Sequence, residues 1–157
     1  MIIHPIPPLY NENSKSLILG SFPSVKSRES EFFYGHPQNR FWAVAAAVLG
    51  YPKPETVEEK KKMILDNNLA MWDVIASCEI EGSADSTIKN VTANDLSEII
   101  ASSKIDRIFV NGKTAEKYYN KYSYPKTKIK AICLPSTSPA NAAWNLERLI
   151  EAWKIIK

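Results

Sequence analysis

Four short apolar runs, separated by stretches with helical spacing, constrain this chain more than any other feature. Lys15-Ser-Leu-Ile-Leu-Gly20, Leu69 to Ile75, Arg107-Ile-Phe-Val110 and Lys128 to Leu134 read as strands. Between them lie helical patterns. Phe41 to Leu49 is an alanine-rich buried stretch stopped by Gly50 and Pro52. Thr56-Val-Glu-Glu59 has capping-box form and opens a charged helix that buries Val57, Met63 and Ile64. A further helix is expected from Thr92, with Leu96, Ile99 and Ile100 on one face, and another from Lys113 to Tyr122. A last helix, expected from about Asn141, repeats Leu146, Leu149, Ile150 and Trp153 at helical spacing. Strands alternating with helices imply an α/β fold, a parallel sheet with helices on both faces. Ser21 to Gln38 reads as a long loop, and Gly82 to Val91 and Pro135 to Ala140 as polar loops. Three of the polar loops follow strand ends, where open α/β sheets usually hold their ligands.

The 157 residues suit one domain spanning 1–157, and 45% hydrophobic with 10% aromatic content suffices for a core, which excludes disorder and fibrous repeats. No apolar run approaches the roughly 18–20 residues that cross a bilayer, and Met1-Ile-Ile-His-Pro5 lacks the pattern of a secretory signal. The expectation is a soluble, cytoplasmic protein. Cys78 and Cys133 are far apart and read as free thiols. With two histidines, His4 and His36, and no ligand cluster, no metal site is expected. Charge is segregated: residues 1–50 carry net +1, 51–103 net −5 and 104–157 net +7. The basic final third suits a polyanionic partner, and equally an ordinary solvated lysine surface.

Four segments concentrate polar chemistry: Gly20-Ser-Phe-Pro-Ser24, Tyr34-Gly-His-Pro-Gln-Asn-Arg-Phe-Trp42, Asn111-Gly-Lys113 and Leu134-Pro-Ser-Thr-Ser-Pro-Ala-Asn141. Small residues in such turns let the backbone approach an anion, and hydroxyls and amides then reach phosphate oxygens. Gly20-Ser21 is not a Walker loop, because no Gly-Lys-Ser/Thr follows. Taken together, and most specifically through Gly35–Trp42 and Leu134–Asn141, the set resembles the uracil-DNA glycosylase superfamily, closest to its hypoxanthine-DNA (deoxyinosine) glycosylase branch.

The resemblance implies a three-layer α/β sandwich around a four-stranded parallel sheet, with no cofactor and no metal. It implies action on DNA that contains a deaminated base, hydrolysing the N-glycosidic bond after the base is flipped out, and the chain is expected to be a monomer. Many relatives carry an aspartate or asparagine within the first motif to position water; here that place is Phe22, which does neither. Asn39 is the remaining candidate: its amide carbonyl can accept from water and orient it. Asparagine also caps helices well, and one before Arg40 can serve both roles. Tyr34 matches the aromatic that stacks under the everted base, worth ~1–3 kcal/mol, or else packs with Phe32, Phe33 and Phe41. Asn111 matches an asparagine that reads the base edge; Asn-Gly is also a common turn. Phe22, Ser21 and Gly20 complete the expected base-binding set.

For DNA and phosphate the resemblance points to Ser136, Ser138, Pro139, Ala140 and Asn141, with Lys113 either on a phosphate or in solvent. Ser136 replaces a histidine or asparagine of relatives, and Ser138 also reads as a simple turn residue. Ala140 stands where relatives place a leucine wedge and is too small to fill the gap a flipped base leaves. Asp73, Asp85 and Ser86 are expected in surface or capping roles, and His36 in a structural one. Glu29 and Glu31, two apart in a loop, do not make a glycosidase carboxylate pair. Two alternatives stay open: the same fold acting on uracil or another deaminated base, and a DNA-binding module that has lost activity.

Overall fold

In the computed structural model, which describes residues 1–157, four parallel strands form the central sheet. They are β2 (Ser16–Gly20), β3 (Leu69–Asp73), β6 (Arg107–Asn111) and β7 (Ala131–Leu134), in the order β3-β2-β6-β7. All four lie in the apolar runs of the sequence. Side chains alternate across the sheet, so Ile18, Leu69, Met71 and Phe109 face one core while Leu17, Leu19, Ala70, Ile108 and Val110 face another. The first core is closed by α2 (Phe41–Leu49), α3 (Val57–Asp66) and α7 (Leu146–Trp153), through Phe41, Trp42, Met63, Ile64, Leu149 and Trp153. The second is closed by α4 (Ser97–Ala101) and α5 (Lys113–Tyr118), through Leu96, Ile99, Ala115 and Tyr118. The fold is therefore the expected α/β sandwich with a layer on each face of a parallel sheet.

Thr56 and Glu59 form the capping box, Thr56 Oγ1 accepting from Glu59 N at 3.1 Å and Glu59 Oε1 accepting from Thr56 N at 3.3 Å. Other boundaries move. The segment read as one loop from Ser21 to Gln38 contains α1 (Val25–Ser30), capped by Ser24, whose hydroxyl accepts from Ser27 N. A second, antiparallel sheet joins β1 (Ile2–Ile3), β4 (Ile75–Glu79) and β5 (Lys89–Ala93). Ile75 thus starts β4 instead of ending β3, and the last three residues of the expected loop from Gly82 to Val91 belong to its partner strand β5. The helix expected from Thr92 begins at Ser97, after Asp95 Oδ1 accepts from Ser97 N. The last helix begins at Leu146, where Asn145 caps it by accepting from Arg148 N at 2.9 Å. Lys113 to Tyr122 is not one helix: α5 passes into a π turn over Tyr119–Ser123 and then α6 (Tyr124–Thr127). Lys128, expected to open the fourth strand, takes a left-handed backbone and ends α6.

Both cysteines are free, Cys78 buried and Cys133 half-buried, and burial pushes both thiols up, away from nucleophilic reactivity. No helix is long and apolar enough to cross a membrane.

Candidate active site

The carboxyl ends of β2, β3 and β6 and the loop after β7 enclose a cavity of about 310 Å³, within the range usual for small-molecule sites. Gly20, Ser21, Phe22, Tyr34, Asn39, Asn111, Ser136, Ser138, Pro139 and Ala140 all line it. Lys113 and Asn141 do not. Lys113 is exposed at the start of α5, and Asn141 holds the turn, its Nδ2 donating to Ser136 O at 3.0 Å.

Thr137, to which the sequence reading gave no role, joins the two candidate asparagines. It is fully buried. Its Oγ1 donates to Asn39 Oδ1 at 2.9 Å and accepts from Asn111 Nδ2 at 3.0 Å, while its own N–H donates to Asn111 Oδ1 at 3.1 Å. The backbone donor fixes which end of the Asn111 amide is oxygen. Asn111 keeps one further Nδ2 hydrogen and one further Oδ1 lone pair for a ligand.

Asn39 Oδ1 also accepts from Phe41 N at 2.9 Å, one residue ahead of the N-cap of α2, which is Arg40 and makes no side-chain cap bond, so Asn39 is not itself the expected cap. Both lone pairs of that oxygen are thereby used inside the protein. Nδ2 has no protein partner and is the group Asn39 can still offer to the cavity. Arg40 binds the two motif segments together. Its N–H donates to Thr137 O at 3.1 Å, and its guanidinium donates to Ser138 O at 2.9 Å, Asn141 O at 3.1 Å and Trp144 O. The loop that follows β7 is thus held by a residue about a hundred positions earlier.

Tyr34 sits on the cavity wall with φ of 52°, a left-handed conformation that costs a side-chain-bearing residue on the order of 1–3 kcal/mol. Its ring stacks on Phe41, with centroids 4.4 Å apart and planes at 20°. The hydroxyl is buried without a hydrogen-bond partner. Burial, reinforced by the charge of Asp73, pushes the phenol far above its ordinary range, with Asn111 pulling the other way. Such strain and desolvation concentrate at functional sites.

Ser136 Oγ accepts from Ser138 N, and Ser138 Oγ accepts from Ala140 N, both at 3.1 Å. Each hydroxyl keeps its proton free to donate outward. Gly112 is required beside them: its φ is 93°, and a Cβ there would lie 3.0 Å from Ser136 Cβ.

Asp73 corrects the expectation of a surface or capping role. It is 4% exposed, lines the cavity, and accepts from His4 Nε2 at Oδ2 over 2.7 Å. No local pattern signals a pair 69 positions apart. Asp85 also lines the cavity, at its outer wall, whereas Ser86 is exposed and away from it. Asp85 is exposed as a residue, but partial desolvation of its carboxyl at the cavity raises it; the Thr114 hydroxyl opposes this, Asp73 adds to it, and the Ser21 hydroxyl opposes it again. His36 lines the cavity too, its Nδ1 accepting from Gln38 N at 3.1 Å.

The family model of the uracil DNA glycosylase superfamily matches residues 7–157. A hypoxanthine DNA glycosylase of Methanosarcina acetivorans is 34% identical, the match covering 99% of this chain and 98% of that protein. A hypoxanthine DNA glycosylase of Methanosarcina barkeri is 30% identical, over 71% of this chain and 72% of the other. A solution structure from Methanosarcina acetivorans, described as that of a candidate uracil DNA glycosylase, superimposes with a TM-score of 0.82 at 30% identity and covers 99% of both chains.

Proposed function

Because the chain belongs to the uracil DNA glycosylase superfamily, we propose that it excises a deaminated base from DNA, hypoxanthine in deoxyinosine before others, leaving an abasic site. The observation that carries this reading is the shared cavity: Asn39, Tyr34 and Asn111 meet on one wall, with both carboxamides tied to Thr137. A monofunctional hydrolase suits these groups, since nothing on that wall is an amine nucleophile of the kind a lyase step uses.

In this mechanism the base is captured outside the helix, at a cost of a few kcal/mol that is lowest for weakly paired bases. Tyr34 supports the base, and Asn111, already oriented by Thr137, addresses its edge through its spare amide hydrogen and lone pair. Ser136 and Ser138 donate their free hydroxyl protons to a phosphate or to the departing base. Asn39 steers the water. With its carbonyl oxygen occupied, the amide donates from Nδ2 to the water oxygen and leaves the other lone pair for the sugar carbon. The nucleobase leaves first, taking the electrons of the glycosidic bond and leaving an oxocarbenium-like sugar behind it. The proton that the water sheds on bonding to the sugar carbon passes to the departed base anion, so no strong base is needed. Ala140, exposed at the cavity rim, is no wedge, so the enzyme depends on bases that already leave the stack easily.

The test uses end-labelled duplexes, each bearing one modified base, followed by alkaline cleavage at abasic sites. Cutting of the deoxyinosine strand supports the proposal. Cutting only at uracil moves the activity to another deaminated base, and tight binding with no cutting of any strand replaces it with a DNA-binding module.

A further inference from the structure

A second cavity, of about 290 Å³, lies against the first. Tyr34, His36 and Asn39 line both, so the turn that ends at Asn39 is their common wall. Two lysines also line the second cavity, Lys53 from the loop after α2 and Lys60 from near the start of α3. Lys53 stands between Pro52 and Pro54. A residue before proline is confined to extended backbone, and Pro54 is buried, so the backbone of Lys53 is held in place at the cavity. The Lys60 ammonium lies over the Trp42 ring, 5.3 Å from its centroid. Neither lysine has an acidic partner. Of the run Lys60-Lys61-Lys62 only Lys62 forms an ion pair, with Asp66 at 2.8 Å, and Glu55, which lines the same cavity, pairs with neither Lys53 nor Lys60. Two unneutralised cations therefore share one cavity. Burial, and then the charge of Lys53, pull the Lys60 ammonium below the ordinary lysine range, a cost that an anion between the two would reverse. The net −5 of residues 51–103 conceals this local pair.

We infer that Lys53 and Lys60 together bind one phosphate of the DNA strand whose everted base enters the first cavity. The shared wall from Tyr34 to Asn39 supplies the reason: a strand that delivers a base to one side of it carries its own backbone past the other. The inference rests on DNA as the substrate and not on which base is excised. An ammonium acts on phosphate as a point charge with three rotatable donors, so two lysines from separate elements can close on one anion without the fixed fork that arginine requires. Ser136 and Ser138 line the first cavity alone, so the two sites grip the strand at separate points. A phosphate contact fixes the register of the strand and carries no base information, so the lysines contribute affinity and salt dependence, not base choice.

A duplex holding a tetrahydrofuran abasic analogue, which has no base to lose, measures this contact apart from cleavage. The protein carrying both Lys53→Ala and Lys60→Ala should bind it about tenfold more weakly than wild type. The slope of log affinity against log salt should shrink by about 0.9, the value for one phosphate. Lys62→Ala removes a charge from the same helix outside the cavity and should leave the slope unchanged. Methylphosphonate, placed at one linkage at a time, removes single phosphate charges from the DNA. At one linkage of the strand holding the analogue it should weaken wild-type binding and have no effect on the double variant. The inference is overturned if the double variant still loses affinity at every linkage that matters to wild type, or if Lys62→Ala lowers the slope equally. It is also overturned if the silenced linkage lies on the complementary strand, or if the slope shrinks by about 1.8, because each lysine would then hold its own phosphate. Wild-type protein with no affinity for the duplex ends the DNA reading and this inference together. Lysine-dependent binding by a wild type that cuts no modified base ends the excision reading alone.

Discussion

Replacing Thr137 with valine removes one hydroxyl and keeps the shape of the side chain. Two hydrogen bonds go with it, Thr137 Oγ1 to Asn39 Oδ1 at 2.9 Å and Asn111 Nδ2 to Thr137 Oγ1 at 3.0 Å. A buried neutral hydrogen bond contributes about 1 kcal/mol net, so the variant should lose about 2 kcal/mol. Cavity water can satisfy the freed amide groups, which keeps the loss near that figure. For a chain of this size, Tm should fall by about 4–8 °C. The effect on turnover should be larger in kind: freed from each other, the two carboxamides no longer hold one geometry, and small misplacements of reacting groups cost up to about 100-fold in rate. Single-turnover cleavage of a deoxyinosine duplex should slow by about 10–100-fold, with KM changing less than kcat. Thr137→Ser is the control. It restores the hydroxyl and loses a methyl group worth about 1 kcal/mol, so it should be less stable than wild type yet cleave at nearly its rate. Serine and valine variants that are equally slow would refute the reasoning, because packing and not the hydroxyl would then be at work. So would a valine variant that cleaves normally.

Three further outcomes check other parts of the site. Asn39→Asp keeps an oxygen acceptor for Phe41 N and Thr137 but replaces Nδ2 with a second acceptor; if Asn39 steers water by donation, it should cleave as slowly as Asn39→Ala, and wild-type-like cleavage would return the role to the carbonyl. Ala140→Leu should speed excision of stably paired lesions relative to mispaired ones if the rim lacks a wedge, and no change in that ratio would mean another residue fills the gap. The raised Asp85 carboxyl means that the folded protein holds this proton more tightly than the unfolded chain. Stability from this group is fully present below the unfolded value of about 3.9 and falls as pH rises through the raised folded value. Because Asp85 is exposed, solvent screening keeps the effect small: Asp85→Asn should melt slightly higher than wild type at pH 7 and converge with it near pH 3, whereas a constant offset across that range would refute the assignment.

Much of the architecture could be read along the chain because it depends on near neighbours. The runs around Leu17–Leu19, Ala70 and Ile108–Val110 alternate or stay apolar at strand spacing, and Thr56 with Glu59 spells out its own cap. The resemblance in Gly35–Trp42 and Leu134–Asn141 likewise led to residues that the fold gathers around one cavity. The antiparallel sheet stayed hidden for the opposite reason. Ile2 and Ile3 pair with Cys78 and Ser77, and two residues of strand make no periodic pattern. The helix expected from Thr92 failed because Val91 and Ala93 serve a hairpin partner before helical spacing begins at Leu96.

What the amino-acid order determined alone is the parallel sheet, its covering helices and the kinds of polar group brought to the strand ends. The tertiary structure decided which atoms of those groups remain free. An isolated Asn39 offers a carbonyl and an amine equally. In the fold, Thr137 from 98 positions away and the start of α2 take the carbonyl and leave the amine. An isolated Asp73 is an ordinary surface acid, but in the fold His4 takes one of its oxygens and the residue is buried at the cavity. Periodicity reports burial, whereas hydrogen-bond valence is assigned only when distant segments meet.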